Sequence, residues 1–361
     1  MRRFLIGLGV LVALAAVGAV VVFVSFSGWR ETQLARLTNG SKVAKTAKGP
    51  LEYALTGSGK RTILFVHGTP GGYDQGARFA EAGQRLGYRV LRVSRPGYLR
   101  TPLTTGIQPA DQADAYAALL DTLGIDKVSV VGVSGGGPSS AQFAARHPDR
   151  CEALMMMFAV SKPRPAGKER RPSLVEAFFR GTDFGAWVVW RGAHRDPATA
   201  LKRMVRDPAL QQRIASKPEQ LQAYLALADS ALVLPTLRGE GLANDAHWFT
   251  EMPEIPLDKI KAPTLAVHGD KDTNVEIDNA QLVVEKVPGA ELVRIEGADH
   301  FVSLSHPEET FGPVFQLLER IGKANGAAAL TAQAAAAPAA AGAVAAPPPP
   351  ATAAPAPAAA K

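Results

Sequence analysis

Residues 128–138 read Val128-Ser129-Val130-Val131-Gly132-Val133-Ser134-Gly135-Gly136-Gly137-Pro138. A short β-branched run, as in a buried parallel strand, enters Gly-x-Ser-x-Gly and leaves into an Ala-rich segment, Pro138 to His147, that has no internal breaker. The pattern has a steric cause. A sharp strand-to-helix turn forces the serine into a strained backbone conformation, so the residues two positions to either side must be small. Gly132 and Gly136 meet that demand. A glycine-rich turn could instead cradle phosphate, but no Gly-Lys-Ser or Gly-Lys-Thr follows. Ser134 is thus the candidate nucleophile.

On both sides of this turn the pattern alternates. Strands are expected at 61–66, 89–93, 128–133 and 153–159, with helices at 74–86 and 109–123 and after the turn. Strands and helices taking turns predict an α/β fold with a mostly parallel sheet and helices on both faces. The alternation stops at 161–256, which reads as a helical cap inserted between strands. It resumes with strands at 264–268 and 292–295 and a helix at 307–321. The core is therefore expected in two parts, 50–160 and 257–322.

The termini differ in kind. Phe4 to Phe26 is uncharged throughout, long enough to cross a bilayer and longer than the apolar region of a cleaved signal peptide. Residues 1–28 read as a single-pass transmembrane anchor with Trp29 at the interface, and 29–49 as a basic linker. A short N-terminal tail before a first apolar segment favours an exported body, although Arg30, Arg36, Lys42, Lys45 and Lys48 follow the segment. Residues 323–361, rich in Ala and Pro with four consecutive prolines at 347–350, read as a disordered tail.

Charge excludes one class of partner. Residues 1–49 hold seven Arg or Lys against one acid, whereas 50–322 hold 31 bases and 32 acids. The basic excess belongs to the N-terminal region, so no nucleic-acid surface is expected on the body. Cys151 is the one cysteine, which rules out an intramolecular disulfide and a cysteine-based zinc site. No metal or other cofactor is implied.

A serine hydroxyl needs a base within reach and a third group to orient that base. The loop after 264–268 reads Gly269-Asp270-Lys271-Asp272, and the loop after 292–295 reads Gly297-Ala298-Asp299-His300-Phe301. The order Ser, Asp, His fits this type of turn, giving His300 as base and Asp272 as orienting acid. Asp270 competes with Asp272 but suits turn formation, and Asp299 is adjacent to His300, where side chains seldom face each other. The oxyanion hole needs two backbone N–H donors. Gly135 follows the nucleophile, and Thr69 lies in the loop His67-Gly68-Thr69-Pro70-Gly71-Gly72 after the strand 61–66. His67 reads as a structural histidine under that loop.

The His67–Gly72 loop, Arg95-Pro96-Gly97-Tyr98, the Ser134 turn, Gly269–Asp272 and Gly297–Phe301 together resemble the α/β-hydrolase superfamily over roughly 50–322. They look most like the branch with proline iminopeptidases, esterases and other capped small-molecule hydrolases. That resemblance implies Ser134, Asp272 and His300 as the triad, Thr69 and Gly135 as oxyanion donors, and a small ester or amide as substrate. The family places a small residue and then Arg-Ser after Arg-Pro-Gly-Tyr, whereas Leu99-Arg100-Thr101 stands here. In the cap, Phe178, Phe179, Phe184, Trp187, Trp190, Tyr224, Trp248 and Phe249 serve either an apolar pocket or the cap's own core. Glu240, Asp245, Glu251 and Glu254 are available to hold a substrate ammonium. The rival readings are a non-catalytic binding or scaffold protein and a cofactor-free acyltransferase or lyase.

Overall fold

The computed structural model describes residues 2–165 and 173–336. Helix α1 (Arg2–Asn39) leads into the hairpin β1 (Lys42–Thr46) and β2 (Gly49–Thr56). The alternating part follows: β3 (Thr62–Val66), α2 (Ala77–Arg85), β4 (Arg89–Val93), α3 (Pro109–Thr122), β5 (Val128–Val133), α4 (Gly137–Arg146) and β6 (Cys151–Met157). Among the described residues of the insertion lie six helices: α5 (Leu174–Gly181), α6 (Asp183–Arg195), α7 (Pro197–Leu201), α8 (Pro208–Ala215), α9 (Pro218–Leu232) and α10 (Gly239–Glu251). Then come β7 (Thr264–Gly269), α11 (Asp278–Lys286), β8 (Glu291–Ile295), α12 (Val302–Ser305) and α13 (Pro307–Ala336).

The eight strands form one sheet in the order β1-β2-β4-β3-β5-β6-β7-β8. β2 runs antiparallel to β1 and β4, and every pairing from β4 to β8 is parallel. β3 is wholly buried, and in β5 only Val133 at the Ser134 end is partly exposed, because helices cover both faces of a parallel sheet. Continuous apolar runs follow from that double burial. The crossovers set β3, β5, β7 and β8 so that their C-terminal loops meet at one end, where α/β sheets place their chemistry.

Polar side chains start four of the cap helices. Ser173 accepts the Glu176 N–H while Glu176 accepts the Ser173 N–H, a capping box that opens α5. Thr182, Asp196 and Asp207 cap α6, α7 and α8 in the same sense. Leu201, Leu210, Ile214, Tyr224 and Leu225 pack with Leu304 as a small core of their own. α10 behaves differently. Its Phe249, with Met252 and Ile255 after it, joins the main core under the sheet, so the 161–256 insertion does not fold as one separate lobe.

The basic segment 29–49 is not a linker. α1 continues unbroken to Asn39 and β1 pairs with β2, leaving only short turns. The hairpin hides in the sequence because β1 buries only Ala44, so no apolar run marks it. Trp29 sits within α1 rather than free at a bilayer interface: it is buried with its ring 5.7 Å from Trp190, and Phe26 meets Phe184 at 5.4 Å and Trp187 at 5.9 Å. Arg30 Nε donates to Asp183 Oδ2 at 2.9 Å. Farther along, Tyr73 donates to the Leu37 carbonyl at 2.8 Å, and Ser41, Ser94 and Arg100 converge on buried Glu52.

A second unit comprises residues 319–361. Its first part, through Ala336, is helical rather than disordered, as a run of alanines favours. The remainder of the expected tail, 337–361, lies outside the described residues.

Candidate active site

Each part of the site follows from a strand end. Ser134 ends β5 with φ of +48°, the strained turn that its neighbours allow. A Cβ on Gly132 would lie 2.5 Å from Ser140 Oγ, and one on Gly136 would lie 2.6 Å from the His67 carbonyl oxygen. Neither position has room for a side chain. Val160 donates its N–H to the Ser134 carbonyl at 3.0 Å and pins the turn to the segment just after β6.

The structure brings Ser134, His300 and Asp272 together. Ser134 Oγ lies 3.0 Å from His300 Nε2, and His300 Nδ1 lies 2.6 Å from Asp272 Oδ2. With Nδ1–H donating to the carboxylate, Nε2 is left to accept the serine proton. Asp272 Oδ1 accepts the N–H groups of Asn274 at 2.8 Å and Val275 at 2.9 Å. Burial alone would raise this carboxyl, but hydrogen bonds from His268 and His300 outweigh it and hold it well below the usual carboxylate range. His268, 3.3 Å from Asp272 Oδ2, was not singled out in the sequence because it reads as one more residue of an apolar strand.

The competing acids are committed elsewhere. Asp270 accepts the Gly297 N–H at 2.7 Å and pairs with Arg294 at 3.0 Å, tying the β7 and β8 loops together. Asp299 turns back to accept the Phe301 N–H at 2.9 Å.

Gly68 and Thr69 pass beside Ser134. A Cβ on Gly68 would lie 3.1 Å from Ser134 Cβ, and one on Gly135 would lie 3.0 Å from Thr69 Cβ. The two loops that carry the candidate oxyanion donors are therefore in contact. His67 is fully buried beneath them. Its Nδ1 faces the Gly68 carbonyl at 2.7 Å, and its Nε2 accepts the Arg95 N–H at 2.9 Å. Burial, reinforced by the charge of Arg95, pushes its pKa well below the usual range and keeps it neutral.

Four residues near this loop escaped the sequence reading of the site: Arg95, Tyr98, Arg238 and, in its actual role, Asp245. Arg95 and Asp245 form a buried ion pair with Nη2–Oδ2 at 2.6 Å. Asp245 is thus not free for a substrate ammonium. Arg238 donates to the Gly71 carbonyl and sits 3.5 Å from Asp74.

A cavity of 1960 Å³ opens over Ser134, His300, Gly68 and Thr69. Phe158, Phe179, Tyr224, Leu227, Phe249 and Leu304 are among its apolar walls. The eight cap aromatics divide: Phe179, Tyr224 and Phe249 line this cavity, while Phe184, Trp187 and Trp190 pack against α1. Trp248 donates to Asn244 Oδ1 at 3.2 Å within α10.

A strained serine at a strand end, a histidine relay and an inserted cap together define a class of fold. The family model described as alpha/beta hydrolase fold matches residues 61–307, and the chain belongs to that family. Among solved structures it is similar to an alpha/beta hydrolase fold protein from Nakamurella multipartita, with 34% identity and a TM-score of 0.69, covering 78% of this chain and 98% of that one. It is also similar to a membrane phospholipase A described as a bacterial virulence factor, with 25% identity and a TM-score of 0.53, covering 89% and 99%. A 2-hydroxy-6-oxononadienedioate/2-hydroxy-6-oxononatrienedioate hydrolase from Paraburkholderia phymatum is 29% identical over 74% of this chain and 92% of its own. The phospholipase and the Paraburkholderia enzyme are both hydrolases by name, and the Nakamurella protein shares their fold.

Proposed function

We propose that the protein is a membrane-anchored serine hydrolase that cleaves an ester or amide of a small, mostly apolar molecule through an acyl-enzyme on Ser134. The observation that carries this reading is the unbroken relay from Ser134 through His300 to Asp272 at the floor of an apolar cavity. His300 Nε2 takes the Ser134 proton as Oγ attacks the carbonyl, and the N–H groups of Thr69 and Gly135 receive the oxyanion. The protonated imidazole then donates to the leaving group. Water, deprotonated by the same nitrogen, releases the acid. Glu240, Asp245, Glu251 and Glu254 do not line the cavity, although other acids, Glu276 and Asp278 among them, do.

Membrane attachment rests on α1. Its large apolar side chains from Phe4 to Val24 are all exposed, and packing against the body begins at Phe26. Beside that point α5 turns Leu174, Val175 and Phe178 to the exterior, and Phe178 reaches Phe184, which in turn touches Phe26. Val175 and Phe179 also line the cavity, so its α5 wall stands next to the emerging anchor. The similarity to a membrane phospholipase supports the same placement. We place the body on the exported side on the sequence ground alone, a short N-terminal tail before a first apolar segment.

A fluorophosphonate probe tests the chemistry: wild-type protein is expected to be labelled, and S134A is not. Equal labelling of both would refute the assignment of Ser134. A pair of truncations tests the anchor. Removing residues 1–25 is expected to release an active protein from the membrane fraction. Removing 1–40 also deletes buried Trp29 and Leu37, at about 3–6 kcal/mol together. The longer deletion should therefore melt roughly 10 °C lower than the shorter one. Equal melting temperatures would mean that the packed half of α1 contributes nothing.

A further inference from the structure

Asp245, on α10, carries more bonds than a structural ion pair requires. Its carboxylate accepts Arg95 Nη1 at 2.7 Å, Arg95 Nη2 at 2.6 Å, the Tyr98 hydroxyl at 2.6 Å and the Thr69 hydroxyl. Arg95 in turn donates Nη2 to Thr69 Oγ1 at 2.8 Å and Nε to the His67 carbonyl at 3.0 Å. The side chains of Asp245 and Arg95 are 5% and 2% exposed, so water does not compete for these bonds. Burying such a pair costs several kcal/mol in desolvation, and well-packed apolar residues often serve stability as well or better. Something other than stability is then the more economical reason for it.

That reason lies in Thr69. Its hydroxyl donates to Asp245 and accepts from Arg95, which fixes its χ1 from both sides. With the side chain held over Gly135, the Thr69 peptide keeps one orientation beside Ser134. α10 cannot drift from this loop, because Gly241 donates its N–H to the Gly97 carbonyl at 2.9 Å and a Cβ on Gly97 would lie 2.6 Å from Gly241 Cα. We propose that Asp245 is a positioning residue of the oxyanion hole, which uses Arg95 and the Thr69 hydroxyl to aim the Thr69 N–H at the developing oxyanion. This deepens the serine-hydrolase reading and rests on it.

The test separates transition-state from ground-state effects. In full-length protein, D245N is expected to lower kcat on a short p-nitrophenyl ester about 100-fold, the usual cost of one oxyanion donor, with KM within about threefold. Affinity for an alkyl boronic acid, which forms a tetrahedral adduct on the serine, should fall in parallel. Affinity for a methyl ketone of matched length, bound without an adduct, should not. T69V is expected to show the same split, and T69S to recover most of what T69V loses. The double variant D245N/T69V should be no worse than the weaker single variant by more than about threefold, because both act through one hydroxyl. If D245N does not fold, T69V and T69S carry the comparison, since both keep Arg95, Tyr98 and Asp245. Equal losses for boronate and ketone, or T69V with wild-type kcat, would overturn the proposal. A wild-type protein that forms no adduct with boronate or fluorophosphonate would instead overturn the serine-hydrolase reading, and this proposal with it.

Discussion

Replacement of Ser134 by alanine is expected to lower kcat by about 10⁶-fold while leaving the melting temperature within a few degrees of wild type. The size of the effect follows from the geometry. Ser134 Oγ is poised against His300 Nε2, and alanine offers neither the bond-forming oxygen nor the proton that the relay moves. The residue's other duties belong to its backbone: the carbonyl accepts the Val160 N–H and φ is +48° in either case. A partly buried hydroxyl bonded to His300 contributes roughly 1 kcal/mol to folding. Steady-state turnover of a p-nitrophenyl ester, with a thermal melt on the same preparation, checks both halves. Activity above about one-thousandth of wild type, once contaminating esterase is titrated out, would show that chemistry proceeds without the acyl-enzyme.

The second large effect is expected at Asp272. D272N should reduce kcat by about 10⁴-fold, because an amide no longer fixes the His300 tautomer that leaves Nε2 free to accept. The substitution also creates a conflict of donors. Asp272 accepts from His300, Asn274 and Val275, and an amide must present its NH₂ to one side of that set. The carboxyl is held below its ordinary range in the fold, so its ionisation stabilises the native state fully above the unfolded value of about 4. That contribution is lost as pH falls through the folded pKa. The stability gap between wild type and D272N is therefore expected to be widest at neutral pH and to narrow below about pH 4. Thermal melts at pH 7 and pH 3 measure it, and a gap that stays constant would mean that Asp272 is not preferentially ionised in the native state.

The nucleophile turn and its glycines were legible because their steric demand is local: five consecutive residues hold the whole argument. The order Ser134, Asp272, His300 was legible because strand ends are marked by apolar runs, and the loops after β7 and β8 carry their acids and histidine in short glycine-rich stretches. What stayed hidden depends on distant contacts. Asp245 lies 150 residues from Arg95 and 176 from Thr69, so no spacing rule links them. Of the cap aromatics, Phe184, Trp187 and Trp190 could not be assigned, since their partner is the far end of α1. The β1–β2 hairpin escaped because an edge strand with one buried side chain has no apolar signature.

α1 has one more consequence, which concerns freedom rather than contact. At 38 residues it extends about 57 Å, and its last part is fastened to the body by Trp29, Arg30 and Leu37. On the membrane attachment proposed above, a flexible leash would let the body tumble, and each productive encounter with a substrate near the lipid would then require the cavity to find its heading anew. A strut removes that search. The orientational entropy is surrendered once, as the chain folds, and the α5 wall of the cavity keeps a constant bearing to the apolar stretch of the helix through every turnover.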